Sequence, residues 1–216
     1  TYDSLKLEAA KFLIRNMPHC YSYQQGGEMD SVKRVRTYYS PFGQIDQTYA
    51  RRWGHYTYRN LLKIYDAHII TAEYLIDNID RAFDNWQKRP WNRSLSFEDF
   101  CEYLLPYRIG DEPLEEWREL YEKKYGYLLD SIYKGGDVVE AANLVSRHLQ
   151  EPVFIYCEDF ELPHIGPRYL FSHRYGSCVD AADIVTYAFR AVGIPCMEDT
   201  DARGGHVWNV VRDTTG

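Results

Sequence analysis

Apolar residues return at helical spacing through most of the first two-thirds of the chain. In "SLKLEAAKFLIRNMP", Leu5, Ala9, Phe12, Leu13 and Met17 fall on one face of a helix that Pro18 ends. "YLIDNIDRAFDNWQKR" carries a stronger stripe of Leu75, Ile76, Ile79, Phe83 and Trp86, with Thr71 placed to cap the helix and Pro90 to stop it. "SFEDFCEYLLPYR" offers Ser96 as N-cap and Asp99 at the capping-box position, where Glu or Gln is usual. "EPLEEWRELYEKKYGYLL" and "GDVVEAANLVSRHL" predict two further helices. Between Gln24 and Tyr58 no period stands out, and Gly, Ser and Tyr predict loops with short elements.

After Pro152 the pattern changes. "PVFIYC" reads as a strand, followed by a loop rich in Pro, His and Gly up to Gly176. A helix then opens at Cys178, with Ala181, Val185, Ala188, Phe189 and Val192 turned inward and Gly193 at its C-terminal stop. "HVWNVV" alternates as a strand does, placing His206, Trp208 and Val210 on one face and Val207, Asn209 and Val211 on the other. Both faces carry apolar side chains, so the strand is expected to lie buried within a sheet, paired by a return strand after the turn at "RDTTG". The fold class is α+β: a mostly helical region, 1–150, and a core, 151–216, packed as one integrated domain.

Composition narrows the functional classes. A chain of 216 residues, 45% hydrophobic and 26% charged, can bury a proper core. Its net charge of −7 argues against a nucleic-acid partner. No run approaches the roughly eighteen apolar residues of a membrane span. Five cysteines, odd in number and widely spaced, favour free thiols over a disulfide framework. The 20 tyrosines are expected mostly at the edge of the core, with hydroxyls wet or hydrogen-bonded.

Cys178 is the residue whose setting suggests chemistry. It opens an apolar helix after a Tyr-Gly-Ser turn, where unpaired N–H groups favour a thiolate and could hold an oxyanion. Gly176 and Ser177 leave little bulk beside it. His206, directly after Gly204 and Gly205, is the candidate base that takes the thiol proton and returns it to a leaving group. Trp208 shares the face of His206 and is expected to form wall or core of the cleft. Cys157, His164, His173 and Cys178 have the right types for a zinc site, but separations of 7, 9 and 5 match no close-paired ligand motif, so no metal or cofactor is expected.

"YGSCVDAADIVTYAFRAVGIP" followed by "GGHVWNVV" resembles the core of the transglutaminase-like superfamily of cysteine enzymes, over roughly residues 165–212. The matching positions are Gly176 and Cys178, then Arg190, Ala191, Gly193, Ile194 and Pro195, then His206 and Trp208. "FEDFCEYLLPYRIGDEPLEEWR" is similar to the helical region preceding this core in Bacteroides-type proteins, many of them exported. The resemblance implies a papain-like core in which Cys178 and His206 transfer an acyl group at an amide through a thioester. It implies a peptide or protein substrate, possibly a glycopeptide, and a periplasmic or cell-surface setting. With no calcium-type acidic loop, a hydrolytic peptidase or amidase is favoured over a cross-linker; the alternative is an inactive module that binds peptide or glycan.

The family's third catalytic member is an acid on the strand after the histidine strand. Asp199 and Asp201 precede the glycines, and Asp213 stands seven positions from His206, on the opposite face of a regular strand. The orienting acid is therefore expected beyond Gly216, in further C-terminal sequence. Arg108, in "LLPYRIGDEP" with Asp111 and Glu112 close by, either supports the active-site loop or forms an Arg–carboxylate clasp between two helices.

Overall fold

The strong stripe at residues 72–88 forms a helix, but not quite on the face its apolar residues mark. Helix α2 (Ala72–Lys88) starts at Thr71, whose hydroxyl accepts the Tyr74 N–H at 3.2 Å, and buries Ile79, Phe83 and Trp86. Ile76 is 59% exposed instead of inward. Two asparagines rotate the buried face away from it: Asn78 donates to the Leu105 carbonyl and Asn85 to the Ala191 carbonyl, both at 3.0 Å. Buried carbonyls need donors, and these two side chains supply them.

The computed structural model describes residues 2–26, 30, 33, 61–151, 153–156, 163–203 and 205–213. Most of the 24–58 region expected as loops lies outside the described residues, as does Cys157. Helix α1 (Tyr2–Asn16) runs into a 3₁₀ turn containing Pro18, then strand β1 (Tyr21–Tyr23), which pairs antiparallel with β2 (Lys63–Tyr65). α1, α2 and α3 (Phe97–Tyr103) share one apolar cluster, in which Trp86 stacks on Phe100 with ring centroids 4.5 Å apart. Ser96 caps α3, accepting the Asp99 N–H at 3.0 Å, and donates its hydroxyl to the Asp99 carboxylate.

The helix expected from Glu112 begins only at Arg118, giving α4 (Arg118–Tyr127). Residues 112–117 are used for other contacts: the Glu112 carboxylate accepts the N–H groups of Ile109 and Gly110, and Trp117 Nε1 donates to the Tyr107 carbonyl at 3.0 Å. α5 (Val138–Leu149) follows, with Asp137 as its cap. The expected loop before Gly176 is partly ordered into a short helix, α6 (Pro167–Ser172), and strand β4 (Tyr175–Gly176), parallel to β3 (Ile155–Tyr156).

Helix α7 (Cys178–Val192) is the axis of the second and larger cluster. It is not amphipathic in the expected sense. Ala181 and Val185 are only partly buried, whereas Asp183, Thr186 and Arg190 lie inside with Ile184, Tyr187 and Ala188. A helix covered on nearly every side must satisfy its polar groups within the protein. Several of the tyrosines expected at the core edge also lie inside; Tyr121, Tyr175 and Tyr187 are wholly buried.

The C-terminus of α7 shows how this is done. Gly193, at φ 84°, turns the chain in a Schellman motif, its N–H reaching Arg190 O and the Ile194 N–H reaching Phe189 O. Arg118 donates to Arg190 O, Asn85 to Ala191 O, Arg89 to Val192 O, and both Trp91 and Asn92 to Gly193 O, at 2.7–3.2 Å. Every one of these donors comes from the first 150 residues, so the two sequence regions share one core.

Beyond that stop, β5 (Cys196–Thr200) and β6 (Val207–Val211) form an antiparallel hairpin across α7, with Asp199 opposite Trp208 and Thr200 opposite Val207. The strand expected to be buried within a sheet is covered on one face only. Asn209 donates to Ala182 O at 3.0 Å and to Thr186 Oγ1 at 2.8 Å, holding the inner face on the helix, while Trp208 and Val210 are 39% and 37% exposed. Among the described residues β6 has β5 as its one partner, and its other edge carries no strand. The architecture is a mixed α+β arrangement, largely helical with small two-stranded sheets.

Candidate active site

Cys178 is the first residue of α7, half-buried and not in a disulfide. The Asp180 carboxylate ties down the residue before it, accepting the Ser177 backbone N–H at 2.8 Å and the Ser177 hydroxyl at 3.2 Å. Gly176 is buried in β4, opposite Tyr156, so a parallel strand pair leads the chain into the helix. The N–H groups of a first helical turn have no intrahelical partner and favour negative charge nearby. The other described thiols are held in the protonated form. Burial, with Glu98 and Glu102, pushes Cys101 up to about 12; burial pushes Cys196 up to about 12 despite Arg190, and raises Cys20 too.

The hairpin register relates His206 to this helix end. Asn209 rests on Ala182 and Thr186, and Arg212 N–H meets Pro195 O beyond the other end of α7. β6 therefore runs alongside α7 in the same sense. Three residues of strand, about 10 Å, separate Asn209 from His206; four residues of helix, about 6 Å, separate Ala182 from Cys178. His206 and Cys178 fall at the same end of the helix–hairpin unit. The His206 side chain, however, belongs to the exposed face with Trp208, the two rings 6.2 Å apart at 34°. Trp208 is thus surface rather than core.

The three internal acids are occupied elsewhere or lie past the strand. Asp199 accepts the Thr200 N–H at 2.8 Å, Asp201 accepts the Gly205 N–H at 2.6 Å, and Asp213 follows the end of β6. Among the described residues no carboxylate is hydrogen-bonded to the His206 ring. Any acid beyond Gly216 lies outside the chain in hand.

Arg108 does form a carboxylate clasp, though not with the neighbours in its own turn. Its guanidinium binds both oxygens of the fully buried Asp66, in the 3₁₀ turn after β2, and a third nitrogen donates to the Glu112 carbonyl. The Tyr107 hydroxyl donates to Asp66 at 3.0 Å. Arg108 thus joins β2 to the turn after α3, and among the described residues it is hydrogen-bonded to neither Cys178 nor His206. Its carbonyl accepts from Arg190 of α7 at 3.1 Å, an indirect tie to the nucleophile helix.

The sequence reading missed a chain of acids beside the same helix. Asp183, wholly inaccessible to solvent, has both carboxylate oxygens 2.9 Å from His164 Nδ1. Burial by itself would push His164 down, but the charge and hydrogen bond of Asp183, aided by Glu112 and Asp111, raise it to about 10. Glu198 of β5 stands next to Asp183, and burial together with that neighbouring charge pushes it up to about 8; Thr186 donates its hydroxyl to it at 3.1 Å. The one signal in the sequence is an Asp inside the apolar run "AADIV", a position that requires a cationic partner.

Of the four residues weighed as a zinc set, Cys157 lies outside the described residues, among which no three His, Cys, Asp or Glu side chains form a metal-binding group. His164 is engaged by Asp183, and His173 stacks on Tyr169 at 4.4 Å. No described helix is long and apolar enough to cross a membrane. Comparison with protein-family models, with curated proteins and with solved structures returned no match.

Proposed function

We propose that this chain carries a transglutaminase-like cysteine site that transfers acyl groups at amide bonds, hydrolysing them in preference to cross-linking. The observation that supports it is the placement of a half-buried free thiol on the first residue of a helix clamped at its far end, with the His206 strand running beside that helix. In the proposed reaction the Cys178 thiolate attacks the amide carbonyl, and the first-turn N–H groups stabilise the oxyanion. His206, carrying the thiol proton, gives it to the leaving amine as the C–N bond breaks, and a thioester is left on Cys178. Water then adds to the thioester with loss of a proton to His206, and collapse releases a carboxylic acid and restores the thiol. The reaction requires the His206 ring, at the start of β6, to turn toward the helix end. The substrates of this reading are peptide or protein amides, glycopeptides among them.

A second reading, a catalytically idle module that binds peptide or glycan, is favoured by one observation. The exposed face of His206, Trp208 and Val210 turns away from α7, and no described carboxylate orients the imidazole. Alkylation separates the two. Brief treatment with substoichiometric iodoacetamide at about pH 6.5, where an ordinary thiol of pKa about 8.5 is almost wholly protonated, is expected to label Cys178 ahead of every other cysteine. His206→Ala should slow that labelling at least about tenfold, a loss within the range of a general base. Preferential labelling elsewhere, or a rate at Cys178 indifferent to His206→Ala, would overturn the enzyme reading and leave the binding module.

A further inference from the structure

A cleft of about 240 Å³ is lined by His19 and Tyr21, which flank Cys20 after α1, by the Gly110–Asp111 turn, and by His164. Its chemistry is set by the buried acid behind it. Asp183 has no solvent access, so its negative charge requires a cation, and among the described residues the ionisable groups against it are the His164 imidazole and the Glu198 carboxyl. Glu198 cannot serve, since it is held neutral beside Asp183; His164 therefore stands as an imidazolium. Its Nδ1–H is fixed by both Asp183 oxygens, which leaves Nε2–H as the remaining donor of a ring that lines the cleft.

A carboxylate of opposite role faces it. Asp111 uses one oxygen, Oδ1, to accept the His164 backbone N–H at 2.9 Å. Glu112, next in the chain, turns its carboxylate onto the Ile109 and Gly110 N–H groups, so among the described residues Asp111 is the acid at the cleft. Gly110 makes the arrangement possible, because a Cβ on it would stand 2.4 Å from His164 Nε2. The cleft thus presents a fixed cationic donor and an anionic acceptor beside the rings of Tyr21 and His19, with room for a small molecule.

We infer that this cleft binds a small zwitterion of the amino-acid class, its carboxylate on His164 and its ammonium on Asp111, with Tyr21 and His19 flanking the side chain. A simple anion would meet Asp111 and Glu112 with like charge, and a simple cation would meet the imidazolium; a zwitterion satisfies both. The site does not depend on Cys178 being a nucleophile.

The test follows the ring nitrogens of His164 by NMR in ¹⁵N-histidine-labelled protein during titration with L-alanine, acetate or methylammonium. L-alanine should shift the His164 signals saturably with a Kd between about 0.1 and 10 mM, and either half-ligand should bind at least about tenfold more weakly. Asp111→Asn keeps the acceptor for the His164 N–H but removes the charge, and should weaken L-alanine at least about tenfold. Gly110→Ala should do the same by displacing the ring, and Cys178→Ser should leave binding unchanged. No saturable shift with L-alanine up to about 100 mM, equal binding of acetate, or indifference to Asp111→Asn would each overturn the proposal. Thermal melts of both cleft variants distinguish lost binding from lost folding, and Asp111→Asn carries the conclusion if Gly110→Ala does not fold.

Discussion

Replacing Glu198 with glutamine asks whether a neutral acid is built into the core beside Asp183. Glutamine has the shape of the protonated carboxyl: its carbonyl can accept from Thr186 and its amide can donate to Asp183. In the folded protein burial and the Asp183 charge lift the Glu198 carboxyl from 4.5 to about 8. Between those values the folded state holds a proton that the unfolded chain has released, so stability falls as pH rises through this window. One pKa unit corresponds to about 1.4 kcal/mol, which makes the loss between about pH 5 and about pH 8 a few kcal/mol. Glu198→Gln cannot lose that proton. His164 and Asp183, also raised in the fold, add slopes of the same sign, but both proteins retain them. Urea unfolding of the two proteins at pH values across the window should show the variant about as stable as the parent near pH 5 and increasingly more stable above it, by about 2–4 kcal/mol near pH 8. Parallel stability curves would refute the reasoning, because they would mean that Glu198 ionises in the fold as readily as in the unfolded chain.

Two other substitutions test the clamp on α7. Arg118 is buried without a carboxylate partner among the described residues, and its guanidinium donates to Asn78 and to the carbonyls of Leu104, Leu105, Pro106 and Arg190. Arg118→Met keeps the apolar stem and strands those acceptors, so chemical denaturation should show a loss of about 3–5 kcal/mol; under about 1 kcal/mol would mean that water replaces the guanidinium. Gly193→Ala places a Cβ at φ 84°, 2.8 Å from Arg89 Cγ and 2.9 Å from the Asn85 carbonyl oxygen. A stability loss of at least about 1–2 kcal/mol in thermal or urea melts is expected, and an unchanged melt would show that the helix end is loose.

Local physics made much of this fold legible in the sequence. Thr71, Ser96 and Gly193 sit where their side chain, or lack of one, completes a helix end, and such caps depend on neighbours three or four residues away. Cys178 at a helix start was readable for the same reason. What the pattern could not show is set by partners far along the chain. Ile76 lost its place in the core to Asn78 and Asn85, whose acceptors lie 27 and 106 residues off. Arg108 found Asp66, 42 residues upstream in a stretch without period, rather than the acids beside it. Asp183 stands inside an apolar run, and its partners His164 and Glu198 are brought against it only by the fold. Residues 112–117 score as helix by pattern, yet Glu112 and Trp117 are drawn into the preceding turn.

The side-chain cap on α7 has a consequence for how the protein forms. The donors that close its last carbonyls come from Asn85, Arg89, Trp91 and Asn92, 101–106 residues earlier in the chain. Such contacts require a long loop to close before any of them is made, a topology that slows folding. During synthesis the helix bearing Cys178 emerges after the residues that supply its donors. A fragment starting near residue 151 would lack those donors and leave the helix end and its apolar face exposed to water. The excess reactivity proposed for Cys178 over an ordinary unfolded thiol near pH 6.5 should therefore appear only with the global folding transition, and pulsed alkylation during refolding would read that long-range docking step.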